Sequence, residues 1–150
     1  MSAPDQTAAT GLSADEKRSI ETLYRAFSEQ NPDLLDEACW PDWQDIPLAP
    51  GQEPGTAGFK KLMPYFFAAL PDLKIEVDEI IGCSGRAGVR ARMVGTHLGE
   101  LFGVPASHRR LEIRLYEFHH FRDGRVSHTW HLEDWFGMFR GIGSWPPAVG

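Results

Sequence analysis

The sequence predicts an α+β domain, with about three helices packed on the concave face of a strongly curved antiparallel sheet. Three observations predict it. Apolar residues recur at helical spacing up to Leu70, the period changes to two from Lys74 onward, and Asp123-Gly124 joins two strand-like segments with hairpin turn chemistry. Helices first and strands after is the order of an α+β chain.

The elements follow in order. Ser13-Ala14-Asp15-Glu16 reads as a capping box, in which Ser and Glu satisfy each other's orphan backbone donors. Behind it Ile20, Leu23, Tyr24 and Phe27 form the buried stripe of a first helix. Asn31-Pro32 supplies a cap and a first-turn proline for a shorter helix through about Ala38. "CWPDWQDIPLAPGQEPG" has four prolines and no period, so it reads as a long irregular loop. Phe59, Leu62, Met63, Phe66, Phe67 and Leu70 mark another helix, which Pro64 should kink or restrict in where it begins. "KIEVDEIIGC", "AGVRARMVGTH", "RLEIRLYEFHHF" and "RVSHTWHLED" then make a four-strand meander, with a small helix after it.

At 150 residues the chain reads as one domain, spanning 13–143 between a disordered tail at 1–12 and a short tail at 144–150. A net charge of −6 argues against nucleic-acid and anionic-membrane partners, which need a basic face. No apolar run approaches a membrane span, and the N-terminus lacks the basic start and apolar block of a secretory signal. Cys39 and Cys83 match no metal or redox spacing, so a cytoplasmic location is the expectation.

The hairpin also serves as a ruler. A two-residue turn pairs Arg122 with Arg125 and sets the register outward from there. One face then carries His119 opposite His128, Glu117 opposite Trp130, Leu115 opposite Leu132 and Ile113 opposite Asp134. It is the more aliphatic face and is taken as the inner one, so Asp134 and Trp130 should enter a cavity while His131 and Glu133 point away. Alternation on the preceding strand brings His97 inward too. Carboxylates and imidazoles on an apolar inner face are costly unless they pair or do chemistry. A one-residue bulge would invert this assignment beyond the point where it falls.

Each candidate has a structural alternative. Asp134 either exchanges protons in the cavity or only caps the next helix. His119 either polarises a carbonyl or is a hydrogen-bonded core histidine. His97 either lines the pocket or tethers the following loop. Glu117 binds substrate or pairs with an inward histidine, Trp130 and Tyr24 are pocket walls or core, and Trp43 is a lid that stacks on a planar ligand or a loop aromatic. A metal site of His97, His119, His128 and Asp134 suits the ligand chemistry but lacks short HxH or HxxxH spacing, so neither metal nor cofactor is expected.

The stretch "GTHLGELFGVPASHRRLEIRLYEFHHFRDGRVSHTWHLEDWFGMFRGIG", preceded by "FAALPDLKIEVDEII", resembles the SnoaL-like polyketide cyclases of the NTF2-like superfamily. The resemblance rests on the GTH-x-GE loop, the Asp-Gly turn and the W-x-x-x-D strand before a small helix, and it covers roughly Asn31 to Gly143. It departs from the family pattern at "PASHRR" and at "FRGIG". It implies a cone-shaped barrel and a homodimer through the outer sheet face, where Tyr116, Phe118 and His131 should lie. It also implies a cofactor-free intramolecular aldol cyclisation of a hydrophobic polyketide ester, with Asp134 as acid/base and His119 as its companion. The other reading is a binding module of the same fold that holds a small molecule without turnover.

Overall fold

The computed structural model describes residues 11–144. The tail assignments for residues 1–10 and 145–150 lie outside them. In order, the elements are α1 (Ala14–Ser28), a 3-10 turn (Pro32–Leu34), α2 (Leu35–Ala38), β1 (Cys39–Ile46), α3 (Gly55–Ala69), β2 (Lys74–Cys83), β3 (Arg86–Thr96), β4 (Arg110–Arg122), β5 (Arg125–Glu133) and α4 (Trp135–Gly141). One open, curved sheet runs β1-β5-β4-β3-β2.

Helix α1 begins where the capping box places it. Glu16 N donates to Ser13 Oγ at 3.1 Å, and Ser13 N donates to Glu16 Oε2 at 2.9 Å. The same cap reaches the sheet: the Gly85 amide, in the β2–β3 turn, donates to Glu16 Oε1 at 2.7 Å. Ser19 Oγ donates to Gly124 O in the β4–β5 turn at 2.6 Å. Gly124 has φ +78°, and a Cβ there would stand 2.8 Å from the Asp15 side chain, so only glycine allows the helix so near the turn. Helix α1 is thereby fixed across the ends of two hairpins.

Two expectations need correction. The proline-rich segment read as a loop opens with strand β1, which joins the edge of the sheet parallel to β5. Its alternation was hidden because Pro41, Asp42 and Gln44 are exposed while Cys39, Trp43 and Asp45 are buried, and an edge strand tolerates a proline. Pro64 does not set where α3 begins: the helix starts at Gly55 and runs through the proline, which lies on the exposed side.

The third correction concerns register and matters most. Arg122 pairs with Arg125 and Phe121 with Val126, as the hairpin ruler requires. His120 then pairs with His128, which leaves Ser127 as an extra residue in β5. Beyond this bulge His119 faces Thr129, Glu117 faces His131, and Leu115 faces Glu133. A one-residue shift exchanges the two faces of a strand. His131 and Glu133 therefore turn inward, while Trp130 and Leu132 turn outward.

The core lies between the concave sheet and the helices. One cluster joins Ile20 and Tyr24 of α1, Phe66 of α3, Leu70 just after it, and the inner residues of β3 and β4 to Met138 and Phe139 of α4. A second groups Leu23, Leu35, Cys39, Trp43, Met63 and Val126. Between the helices and the sheet a cavity remains.

Candidate active site

The cavity measures about 400 Å³, within the usual range for a small-molecule site. Helices α1 and α3 contribute Tyr24, Phe27, Phe59 and Phe66 to its wall, and Trp43 comes from β1. Phe102 and Trp135 meet edge to face at 4.9 Å across one end. Pro47 to Pro50, with Gln52, cover another side. Most of the wall is aromatic or aliphatic, so its few polar groups carry the chemistry.

The first polar group is centred on Glu117 of β4. The Tyr24 hydroxyl donates to Glu117 Oε2 at 2.6 Å and lies 3.0 Å from His119 Nε2. A tyrosine has one proton to give, so the donor toward Tyr24 is His119 Nε2, which also stands 3.3 Å from Glu117 Oε2. On the far side of the ring, His119 Nδ1 is 2.9 Å from Thr129 Oγ1, which accepts from Trp43 Nε1 at 3.0 Å. The hydroxyl can donate to Nδ1 or accept from it.

Burial alone would raise the Glu117 carboxyl. The hydrogen bond and charge of His119 outweigh it, with help from the Tyr24 hydroxyl and the charge of His131, and hold the carboxyl below the usual Glu range. Burial first, then the Glu117 charge, pushes the Tyr24 hydroxyl well above the ordinary tyrosine value, so it stays a donor. Both bonds to the carboxylate fall on Oε2. Oε1 has no protein donor among the described residues, and Glu117 lines the cavity.

The second polar group is centred on His131. Its Nδ1 is 2.8 Å from Glu133 Oε1, and its Nε2 is 2.9 Å from Pro47 O and 3.2 Å from Asp45 Oδ1. Both nitrogens face acceptors, so the ring is an imidazolium. Burial opposes the charge, but the hydrogen bonds and negative charge of Asp45 and Glu133 outweigh it and push the imidazole up to about 11. Gln52 Nε2 donates to Asp45 Oδ2 at 2.8 Å, and the Ala49 amide donates to Gln52 Oε1 at 2.9 Å. His131 therefore ties the covering loop to β1 and β5.

Of the residues singled out from sequence, Glu117, Tyr24 and Trp43 line the cavity, and His119 stands directly behind Glu117 with no exposure. Trp43 is a buried strand residue set edge-on to Phe59 rather than a lid. The other three lie elsewhere. Trp130 is on the outer face, stacked with His128 at 5.6 Å, because the bulge turned it out. His97 is fully buried in a loop tether, accepting at Nδ1 from the Ser107 amide at 3.2 Å. His97, His119, His128 and Asp134 do not converge: among the described residues no cluster of three such ligands could hold a metal ion.

Asp134 is the main correction. It caps α4, accepting from the Gly137 amide at 2.8 Å, and pairs with Arg114 on the surface at 2.9 Å. The Gly137 amide first, then Arg114, hold its carboxyl below the usual range, opposite to a desolvated acid. A Cβ on Gly137 would come 2.2 Å from the capping carboxylate, so the tight cap requires that glycine. Asp134→Asn keeps the cap acceptor. It is expected to leave turnover within about twofold of wild type, measured as steady-state kcat/KM. A hundredfold loss would return Asp134 to the reaction.

Sequence reasoning missed His131, Glu133, Asp45 and Gln52. His131-x-Glu133 and Trp43-x-Asp45 each have the spacing that puts two residues on one strand face. The signal was present, but the face was misassigned in one case and the strand unrecognised in the other.

Comparison with known proteins agrees with this architecture. The profile of the SnoaL-like polyketide cyclase family matches residues 18–142. No curated protein matches the chain in sequence. Among solved structures, TsrD from Streptomyces laurentii is 25% identical with a TM-score of 0.79, over 87% of this chain and 96% of that one. IdmH from Streptomyces antibioticus, described as a candidate polyketide cyclase, is 26% identical with a TM-score of 0.74, over 85% and 98%. AclR from Streptomyces galilaeus, described as a candidate hydroxylase, is also 26% identical with a TM-score of 0.74, over 91% and 85%.

Proposed function

Because the chain belongs to the SnoaL-like polyketide cyclase family, we propose that it is a cyclase-type enzyme doing cofactor-independent acid/base chemistry on a hydrophobic carbonyl compound. The observation that carries this reading is Glu117, an ionised carboxylate in an apolar cavity with one oxygen unengaged. A carboxylate held below its usual range is a weak base, so its substrate must be an acidified carbon acid, such as a methylene between two carbonyls. Glu117 Oε1 takes that proton, and the resulting enolate carbon attacks a second carbonyl of the same molecule. The proton returns to the new alkoxide, so the aldol step is an isomerisation and needs no co-reactant. The low dielectric of the apolar wall strengthens each of these interactions. His119 and Tyr24 position Glu117 and keep it ionised.

Incubation with ring ketones bearing a β-keto ester arm tests the proposal. A cyclised product of unchanged mass supports it. Tight binding without conversion would instead support the non-catalytic module.

The assembly proposal is a homodimer through the outer sheet face. Phe118 is 64% exposed and Leu132 74%, with Ile81, Tyr116 and Trp130 also on the surface. Such a set of large apolar residues calls for a partner, and the family resemblance makes a second copy that partner. His131, expected there from sequence, faces the cavity, and Trp130 and Leu132 take its place. Sedimentation equilibrium at micromolar concentration should give a dimer, and Phe118→Glu should shift it toward monomer. Monomer alone for the wild type would contradict the assignment.

A further inference from the structure

Trp43, Thr129, His119, Tyr24 and Glu117 form one connected chain of polar side chains. The first four are buried, so their hydrogen bonds have to balance within the protein. Thr129 and His119 face each other in register across β5 and β4, which places the hydroxyl directly on the ring.

The direction of every bond follows from one fixed end. An indole N–H only donates, so Trp43 Nε1 gives its proton to Thr129 Oγ1 at 3.0 Å. Among the described residues the Thr129 hydroxyl proton then has one acceptor, His119 Nδ1 at 2.9 Å. Were Nδ1 to carry a hydrogen, Thr129 Oγ1 would receive two donors. Its own proton would be left buried without a partner, which is costly. The ring proton therefore sits on Nε2, directed at the Tyr24 oxygen at 3.0 Å and Glu117 Oε2 at 3.3 Å. Tyr24 passes its own proton toward Glu117 Oε2 at 2.6 Å. From the indole to the carboxylate all donors point one way, and the chain ends on a single oxygen of Glu117.

We infer that Thr129 is a positioning residue for the Glu117 base: its hydroxyl, turned by the Trp43 indole, fixes His119 with its proton on Nε2 and so keeps both donors on Glu117 Oε2 and leaves Oε1 to react. The hydrogen bond made by one ring nitrogen decides which nitrogen carries the proton. Without the hydroxyl, Nδ1 has no partner in either neutral tautomer, and the choice between them is lost. The other tautomer turns a bare Nε2 toward Tyr24. The Tyr24 proton then goes to Nε2, and Glu117 Oε2 loses both donors. The inference rests on the acid/base reading of Glu117 and adds to it a residue that acts on the base only through His119.

Thr129→Val keeps the side-chain shape and removes the hydroxyl, whereas Thr129→Ser keeps the hydroxyl. Long-range proton–nitrogen NMR of the His119 ring, at mildly alkaline pH and without ligand, is the first readout. Wild type and Thr129→Ser should show a pyrrole-type Nε2 and a pyridine-type Nδ1, and Thr129→Val a mixture of both tautomers. The second readout is α-hydrogen exchange on methyl 1-tetralone-2-carboxylate. In Thr129→Val, with its fold checked by near-UV circular dichroism, kcat should fall about tenfold, the worth of one hydrogen bond, with KM within about twofold. Thr129→Ser should restore it. A wild-type ring bearing hydrogen on Nδ1, alone or on both nitrogens, would overturn the inference, because Thr129 would then be the acceptor. So would an unchanged kcat in a folded Thr129→Val. Absence of exchange in the wild type would overturn the acid/base reading and the role of Thr129 with it. The wild-type ring signals decide the matter if Thr129→Val does not fold.

Discussion

Glu117→Gln is expected to lower kcat/KM on an activated 1,3-dicarbonyl substrate by about a hundredfold to ten-thousandfold, the contribution of a positioned general base. Glutamine keeps the shape and can still accept from the Tyr24 hydroxyl, which lies 2.6 Å from the carboxylate in the wild type. The loss should therefore appear in kcat with the fold intact. The wild-type pH profile carries a second expectation. Since the carboxyl is held below the usual Glu range, its base form persists into mild acid. The acidic limb of kcat/KM should fall below the ordinary glutamate value, and Glu117→Gln should remove it. An acidic limb near neutrality would assign the base to another group.

His131→Leu is expected to cost about 2 to 4 kcal/mol of folding stability at neutral pH. That is near the lower end for breaking a buried pair, because the imidazole keeps some exposure. The substitution leaves Asp45 and Glu133 facing each other and the covering loop without its anchor at Pro47 O. The pH dependence has a definite sign. The folded value, about 11, lies above the unfolded 6.5. The contribution is thus complete below about pH 6.5, declines as pH rises, and is gone above about 11. Urea unfolding between pH 6 and pH 9.5 should show wild type and variant converging toward the alkaline end. A constant or widening gap would mean that the imidazole is not the charged member of the cluster.

The parts of the fold written in local patterns were legible in the sequence. The Ser13 cap, the stripe of Ile20, Leu23 and Tyr24, and the Asp123-Gly124 turn each depend on neighbours within a few residues, and each lies where the sequence put it. Strand β1 was hidden because its pairing with β5 is long-range and its exposed positions hold proline and polar residues. The bulge at Ser127 had no local mark at all. That single extra residue decided which half of "TWHLED" faces the cavity, sending Asp134 to a helix cap and bringing His131 and Glu133 in. Glu117, His119 and Tyr24 survived the error because they lie on α1 and on β4, whose face the ruler assigned correctly.

The central claim is that proton exchange at carbon takes place at Glu117 and not at Asp134. The most direct measurement is proton NMR of α-hydrogen exchange on methyl 1-tetralone-2-carboxylate in D2O, at mildly acidic pH where background exchange is slow. Wild type, Glu117→Gln and Asp134→Asn would be compared side by side. The expected result is equal acceleration by wild type and Asp134→Asn, with Glu117→Gln at the background rate. Full exchange by Glu117→Gln, or loss of exchange in a folded Asp134→Asn, would contradict it.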